Sequence, residues 1–265
     1  MEIRLLEKKD ENNLSFVLKD ATPSFANALR RAILEEVPSM AIEDVEFSKN
    51  NSILYDEIIS HRLGLIPLTT DLKSYNLLSE CKCEGKGCAR CQLKLTLKAK
   101  GPAMVYASEI KTRDAAVKPA LPKMPIVKLL KGQSLELEAT AVLGKGKEHM
   151  KWSPAHVHYK QKPAIEIDLK KCDGCGKCIE QCPTKTLEIK DNKAVISKDH
   201  LMDCHLCNAC VDSCPKAAIH IAPQSDYVFY IESWGQLEPK KIVTEAASII
   251  QSQMDEFSEL LKEAK

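Results

Sequence analysis

The sequence predicts an α+β fold that contains a small cysteine-rich insert. Three observations support this prediction. Amphipathic helical patterns lie near both ends of the chain, and the segment between them alternates short strand-like and loop-like stretches. A twelve-residue cysteine pattern occurs twice, at 172–183 and 204–215, which indicates a compact repeated unit within the larger framework.

The N-terminal segment predicts two strands and a helix. Apolar residues indicate strands at 2–6 and 14–18. Thr22 followed by Pro23 is typical of a helix start, because a threonine side chain caps free N–H groups and proline fits the first helical position. We expect the helix to end before Pro38. Its apolar face carries Phe25, Leu29, Ala32 and Ile33, with Ala28 between them.

The middle of the chain, 39–143, predicts a mostly β segment with strands at 93–97 and 135–139. The whole sequence lacks G-x-S-x-G, Walker, G-x-G-x-x-G and H-E-x-x-H motifs, so it offers no catalytic constellation. His156 and His158 fit either a strand with one exposed face or a pair of metal ligands, and no third ligand lies near in sequence.

Four cysteines of this middle segment form a compact C-x-C-x4-C-x2-C pattern. Four thiolates within eleven residues can close a tetrahedral zinc site, and Gly85 and Gly87 allow the tight return of the chain. Such a site is structural, because four protein ligands leave no open position for water. The alternatives are a pair of disulfides or a metal-free loop. The ligands would be Cys81, Cys83, Cys88 and Cys91.

The two repeats, CDGCGKCIEQCP and CHLCNACVDSCP, share the spacing C-x2-C-x2-C-x3-C-P. This spacing is typical of two-cluster ferredoxins, in which the fourth cysteine of each run binds the other cluster. Short apolar stretches flank both runs, so a two-fold α+β unit is expected. They lie at 164–167, 187–189, 194–196 and 218–221.

Crossing the fourth cysteines gives two predicted [4Fe-4S] sites. The first site consists of Cys172, Cys175, Cys178 and Cys214. The second site consists of Cys182, Cys204, Cys207 and Cys210. The alternatives are zinc sites or cysteines that bind no metal. The spacing also leaves open whether one of the sites holds a [3Fe-4S] cluster or no cluster. His205 is expected to be a surface residue.

The C-terminal segment predicts a long helix from about 239 to 262. Its apolar residues repeat at steps of four and three, which is an a/d stripe. The stripe fits packing either on the chain's own domain or on a partner helix, and with the N-terminal helix it suggests a dimerising face. It consists of Val243, Ala247, Ile250, Met254, Phe257 and Leu261.

Composition narrows the class of protein. A net charge of +1 provides no global field that would attract nucleic acid or an anionic membrane. The charged start of the chain has no apolar signal-peptide core, and no apolar run approaches the about 20 residues of a membrane span. We therefore expect a cytoplasmic protein, in which all 12 cysteines, gathered in sets of four, favour metal ligands over disulfides.

Four stretches carry a resemblance to the alpha-like subunits of cellular RNA polymerases. FANALRRAILEEVPSMAIEDVEF (25–47) and HRLGLIPL (61–68) resemble two signatures of that family. GKGKEHMKWSPA (144–155) is similar to a third, typical of its archaeal and eukaryotic branches, and the last, 227–250, resembles the returning strand and final helix. The ferredoxin-like insert after WSPA is a feature of the archaeal branch, the D-type subunits.

The resemblance implies an architecture and partners. A discontinuous dimerisation domain would comprise 1–40 and 224–265, an inserted mostly β domain 41–163, and the ferredoxin-like domain 164–223. The implied partner is subunit L, and the heterodimer would nucleate assembly with subunits N and P and then with the second-largest subunit. DNA would be contacted only through the assembled enzyme.

Two functions fit these sequence features. The resemblance implies a non-catalytic scaffold subunit of DNA-directed RNA polymerase, whose clusters stabilise the insert or sense redox state. The alternative is an iron–sulfur electron-transfer protein or oxidoreductase subunit. That alternative accounts only for the insert of about 60 residues and leaves the remaining framework unexplained.

Overall fold

A computed structural model describes residues 1–197 and 199–264 of the chain. These residues form two compact units. One unit combines 1–6, 16–26 and 159–229, and the other combines 7–15, 27–158 and the residues from 230 onward. Their boundaries differ from those of the three expected domains, because the cysteine repeat clusters with the adjoining parts of the terminal strands. The three-domain division therefore stays a prediction.

The mixed α and β content predicted from the sequence is confirmed. The strands are β1 (Glu2–Lys8), β2 (Asn13–Lys19), β3 (Ser39–Asn50), β4 (Gln92–Lys100), β5 (Ala103–Tyr106), β6 (Lys111–Thr112), β7 (Pro125–Leu129), β8 (Ser134–Gly144), β9 (Ala155–Gln161), β10 (Ile165–Ile167), β11 (Leu187–Lys190), β12 (Lys193–Ile196), β13 (Ile219–Ile221) and β14 (Tyr227–Ser233). The helices are α1 (Pro23–Arg31), α2 (Asp56–Gly64), α3 (Lys177–Glu180), α4 (Ala209–Asp212) and α5 (Pro239–Glu263).

Strands from both ends of the chain share one sheet, in the order β1-β2-β14-β9. The returning strand β14 thus pairs beside β2, as expected for a framework that is interrupted by a long insertion. Aromatic rings fill one face of this sheet. Phe229 stacks between Phe16 and Tyr159, each with its ring centroid 5.1 Å away.

The predicted N-terminal helix is confirmed, with one unexpected feature. The backbone N–H of Phe25 donates to Thr22 Oγ1 at 3.2 Å, so Thr22 caps the helix as predicted. After α1 the chain continues as a π-helical turn, Ala32–Glu36, and α5 packs against that turn. The predicted C-terminal helix is likewise confirmed as α5, which begins at Pro239.

The middle segment is mostly β, as predicted. A four-stranded sheet has the order β3-β8-β4-β6, and a small sheet pairs β5 with β7. The central strand β8 is almost wholly buried. Helix α2 covers the sheet with Ile59 and Leu63, both 0 % exposed, and the helix and the sheet share one extensive apolar core.

The GKGKEHMKWSPA stretch follows β8 and closes on the π-helical turn. A Cβ atom on Gly146 would lie 2.0 Å from the carbonyl oxygen of Leu34, so only glycine fits this approach. The next residue, Lys147, donates its backbone N–H to the carbonyl of Glu35 at 3.1 Å. The ammonium groups of Lys145 and Lys147 both reach Glu36, at 3.3 and 3.1 Å.

The insert is a two-fold unit, as predicted. Strands β10 and β13 pair antiparallel, with Ile165 opposite Ile221 and Ile167 opposite Ile219, and β11 pairs with β12 as a hairpin. The short helices α3 and α4 follow the two cysteine loops and contact each other. The small core of the insert consists largely of isoleucines and cysteines.

Candidate metal centres

The two cysteine loops have left-handed residues at matching positions. In the first loop, Gly174 and Gly176 have φ of +74° and +76°. At the equivalent positions of the second loop, Leu206 and Asn208 have φ of +56° and +61°. Left-handed residues that alternate with ordinary ones turn successive N–H groups toward one point, and such concavities hold anionic groups, including many iron–sulfur clusters.

The cysteines of the first site line one small cavity. Cys172 and Cys175 come from the first loop and Cys178 from the start of α3, whereas Cys214 follows α4 in the second half of the repeat. Ala194 and Ile219 complete the apolar part of the wall. The fourth cysteine thus joins across the two-fold arrangement, in the grouping that the crossed spacing predicts.

The second site has the corresponding geometry. Cys204 and Cys207 from the second loop and Cys210 from α4 line a separate cavity together with Cys182, which follows α3. Thr184 and Thr186 stand beside Cys182, and His205 lies exposed at the rim. The structure therefore brings together each predicted ligand set, while the ligation itself stays a prediction.

Backbone N–H groups point at the sulfur atoms. Ala218 donates to Cys214 Sγ at 3.3 Å, and at the matching place in the other half Thr186 donates to Cys182 Sγ at 3.4 Å. Ala194 donates to Cys172 Sγ, also at 3.4 Å. Hydrogen bonds of this kind stabilise thiolates and are among the interactions that set cluster potentials.

The thiol pKa values reflect the same surroundings. Burial raises the pKa of Cys178 and that of Cys210. Burial also acts on Cys182, but hydrogen bonds from Thr184 and from the N–H of Thr186 outweigh it and lower the pKa of that thiol. The buried thiols therefore need a bound metal to become thiolates at neutral pH.

The donor sets fit clusters better than single ions. Each cavity offers four thiols, a largely apolar wall and inward N–H donors, which suits an anionic iron–sulfur cluster. A tetrahedral zinc ion would draw four sulfurs to about 3.8 Å from one another, given zinc–sulfur bonds of about 2.3 Å. Among the described residues, only the four cysteines of the middle segment approach that spacing.

Those four cysteines, Cys81, Cys83, Cys88 and Cys91, form the knuckle, and their ligand atoms all lie within 4.8 Å of one another. The Sγ atoms of Cys81 and Cys88 are 3.6 Å apart, and those of Cys83 and Cys91 are 3.5 Å apart. Both separations are far from the about 2.05 Å of a disulfide. The arrangement fits one tetrahedral ion with all four positions filled.

Within the knuckle the thiols differ in acidity. Burial raises the pKa of Cys91 to about 12. Burial also opposes ionisation of Cys83, but hydrogen bonds from Cys81 and Cys91 lower its pKa to about 7. In the metal-free knuckle, Cys83 is therefore the favoured thiolate, whereas Cys91 remains protonated.

The residues predicted for a dimerising face fall into two groups. Leu29, Ala32 and Ile33 are buried in the chain itself and Phe25 is half-buried, so the first three do not offer an accessible surface. The apolar stripe of α5 behaves differently along its length. In its inner turns, Ile242 and Ala246 are buried and face the chain's own core. Each lies one position before a predicted residue, Val243 or Ala247.

The outer half of α5 is uncovered. Met254, Phe257 and Leu261 are 60 %, 56 % and 55 % exposed, whereas Ile250 is half-buried. Large apolar side chains spaced by three and four residues form a continuous stripe. An uncovered stripe of this size is typical of an interaction surface.

Two residues that shape these sites were not predicted from the sequence. Leu206 adopts a left-handed conformation that is rare for leucine, and alignment of the two repeats could have found it, since Leu206 stands where the first loop has Gly174. Lys193 Nζ donates to the carbonyl of Cys172, a contact that no sequence pattern signals.

His156 and His158 lie exposed on β9, which confirms a strand with one exposed face. Their ring centroids are 5.6 Å apart, and His158 stacks on Tyr230. Over the described ranges they join no group of three or more ligand atoms. No helix among the described residues is both long enough and apolar enough to cross a bilayer.

Two protein families match parts of the chain. The RNA polymerase Rpb3/RpoA insert domain matches residues 45–168, and the 4Fe-4S dicluster domain matches residues 171–219. The second match coincides with both cysteine loops, which supports iron–sulfur binding by the insert.

Whole-chain relatives share one description, DNA-directed RNA polymerase subunit Rpo3. The relative from Archaeoglobus fulgidus is 42% identical over 263 residues, which cover 99% of this chain and 98% of the relative. Those from Methanosarcina acetivorans and Methanothermobacter thermautotrophicus are 39% and 41% identical, with at least 97% of each chain covered. The similarity thus extends over framework and insert alike.

Proposed function

Because the chain belongs to the archaeal Rpo3 family of DNA-directed RNA polymerase subunits, the D-type subunits, we propose that it is a non-catalytic assembly subunit that heterodimerises with subunit L. The observation that carries this proposal is similarity over nearly the whole chain, together with an uncovered apolar stripe on α5. The electron-transfer alternative has no comparable support outside the insert.

The outer half of α5 is the surface that we assign to subunit L. Met254, Phe257 and Leu261 expose more than half of their surface. Burying such a side chain contributes about 1.5–3 kcal/mol. Three side chains on one stripe would thus contribute several kcal/mol to association, before the costs of ordering both partners.

We assign further assembly steps to the completed heterodimer. Subunits N and P and the second-largest subunit would bind after subunit L, and DNA would be contacted only through the assembled enzyme. The near-neutral charge of the chain fits this role, because a protein that binds DNA by itself needs a basic surface. Catalysis is assigned to other subunits, and the enzyme is placed in the cytoplasm.

The clusters are proposed to brace the insert. Its core is small and consists partly of the cysteines themselves. A unit of about 60 residues buries too little apolar surface for a robust fold, and metal–thiolate bonds supply the missing folding free energy. We assign one [4Fe-4S] cluster to the first site, one to the second site, and one structural zinc ion to the knuckle. Cluster loss under oxygen would then also link assembly to redox state.

Co-expression with subunit L tests the assembly role. We expect a 1:1 complex in size-exclusion chromatography. Phe257→Glu, which puts a charge on the stripe, should weaken the complex at least tenfold, whereas Ser252→Glu on the opposite side of α5 should not. A monodisperse monomer in the presence of subunit L would refute the proposal, and so would equal binding by the two variants.

Metal and sulfide content tests the assignment of the sites. Anaerobically purified protein should contain about eight iron atoms, about eight sulfides and one zinc per chain. About four iron atoms would leave one of the two sites without its cluster. A chain without iron that retains a folded insert would refute the bracing role.

A further inference from the structure

The two cluster sites differ in their distance from the base of the insert. The framework is the part of the chain outside 164–223, and the insert joins it through β10 and β13. At this junction the N–H of Ala222 donates to the carbonyl of Ala164 at 2.8 Å. The first pair of these strands is Ile165 with Ile221, and both of these residues line the second site. The first site is lined by Ile219, which lies at the far end of the pairing. The second site is therefore nearer to the base, and the first site is farther from it.

A framework side chain also reaches the second site. Lys160 lies on β9, in the four-stranded sheet, outside the insert. Its ammonium donates to the carbonyl of Cys204 at 3.1 Å and to the carbonyl of Met202. The Cys204 carbonyl belongs to the second loop, and the Met202 carbonyl belongs to the helical turn, Leu201–Asp203, that leads into this loop. One side chain thus links the edge strand of the sheet to the second-site loop.

The first site has a lysine in a similar place but with a different origin. Lys193 donates to the carbonyl of Cys172, the first cysteine of the first loop. Because Lys193 lies on β12, this contact begins and ends within the insert. The two sites resemble each other in their ligands, yet only the second site has this connection to the framework among the described residues.

We propose that the second site is the one whose occupancy is transmitted to the four-stranded sheet, and that Lys160 is the positioning residue that transmits it. The inference rests on the proposed bracing role of the clusters. When four thiolates are fixed, the loop holds its carbonyls toward the Lys160 ammonium. When the second site is lost, the half-buried Lys160 ammonium loses these two acceptors, and β9 is no longer tied to the loop.

Cys207→Ser and Cys175→Ser form a matched pair for the test. Both cysteines are exposed and occupy the second position of their motifs, so the substitutions differ only in the site that they disable. Amide hydrogen exchange of the full chain, purified anaerobically with subunit L, would be followed at β9. We expect Cys207→Ser to accelerate exchange at β9 at least tenfold and Cys175→Ser to leave it within twofold of the wild type.

Lys160 is tested separately, with the clusters retained. Lys160→Met should keep the full iron content but accelerate exchange at β9, and Lys160→Arg should restore protection. Lys193→Met serves as the control and should leave β9 unchanged. The double variant Lys160→Met/Cys207→Ser should exchange no faster at β9 than Cys207→Ser, because both changes break the same link. Additive effects would overturn the role of Lys160.

A spectroscopic reading distinguishes positioning from a general loss of stability. In the Cys175→Ser background, only the second site gives the signal of an intact four-thiolate cluster. Removing a positive charge beside it with Lys160→Met should lower the potential of that cluster, whereas Lys193→Met should not.

Equal acceleration at β9 by both cysteine variants would overturn the inference but leave the bracing role standing. Unchanged protection throughout the insert in both would refute the bracing role and the inference with it.

Discussion

The approach of Gly146 to the π-helical turn gives a sharp prediction for stability. Gly146→Ala would place a Cβ atom 2.0 Å from the carbonyl oxygen of Leu34, where ordinary contacts begin at 3.4 Å. The loop must therefore retreat by about 1.4 Å, which breaks the hydrogen bond from the Lys147 N–H to the Glu35 carbonyl. The change tests whether the GKGK loop holds the end of the N-terminal helix.

The magnitude follows from these contacts. Overpacking of a close contact costs about 1–3 kcal/mol and loss of one hydrogen bond about 1 kcal/mol. The lower chain entropy of alanine in the unfolded state returns about 0.4–1 kcal/mol. We therefore expect Gly146→Ala to lower the free energy of unfolding by about 2–3 kcal/mol.

Gly64→Ala is the matched control. Gly64 ends α2, and a Cβ atom there would meet its nearest neighbour at 3.5 Å, an ordinary contact. Because alanine favours helix more than glycine does, this variant should be neutral or slightly stabilising. The two glycine variants should thus differ by about 3 kcal/mol.

Urea unfolding followed by tryptophan fluorescence measures the difference. Trp152 is buried and packs against Gly144, so it reports on this loop. The second tryptophan, Trp234, would be replaced by phenylalanine so that Trp152 alone is observed. A difference of about 3 kcal/mol corresponds to a shift of roughly 1–1.5 M in urea. If the urea midpoints of the two glycine variants differ by less than about 0.2 M, which corresponds to roughly 0.5 kcal/mol, the reasoning is refuted.

Three further predictions concern charge and metal sites. Burial opposes ionisation of Glu36, but hydrogen bonds from Lys145 and Lys147 outweigh burial and lower the pKa of this carboxyl. The ionised carboxylate therefore stabilises the fold above the unfolded pKa of about 4.3, and this stabilisation is lost as the pH falls through the lower folded pKa. Glu36→Gln should therefore be less stable than wild type at pH 7 and equal to it at pH 2 in urea titrations. Gly174→Ala should lower the iron content, because its Cβ atom would lie 2.3 Å from the Asn192 carbonyl oxygen. Gly176 has a similar φ but open space around it, so Gly176→Ala should lower the iron content less. Equal losses of iron in the two variants would count against the contact argument. In zinc-free protein at pH 7, iodoacetamide should alkylate Cys83 long before Cys91, given pKa values of about 7 and about 12, and zinc should protect both in peptide mass mapping. Simultaneous modification would contradict these acidities.

Some features of this protein could be predicted from the sequence because short-range patterns encode them. The cap at Thr22, the proline that begins α5 and the three-and-four spacing of apolar residues specify the two helices locally. The repeated cysteine spacing likewise predicts which thiols lie together, since the loop geometry depends on a few consecutive residues.

Other features depend on packing between distant segments. A stripe of apolar residues shows that one face of a helix is buried, but not against what. The tertiary structure decides that Leu29 and Ile33 belong to the chain's own core, while Phe257 remains uncovered. The match to Gly174 in the other repeat suggests a glycine-like conformation for Leu206, and the tertiary structure establishes it.

The contact from Lys160 to the second-site loop is of the same kind. A surface lysine on an edge strand has no sequence signal that names a carbonyl 44 residues away. Only the return of the insert toward the sheet brings the two together. The sequence by itself predicted the ligand sets and the two long helices, because these depend on spacing along the chain. The tertiary structure decided which faces are closed and which site touches the framework, because these depend on contacts between residues that are remote in sequence.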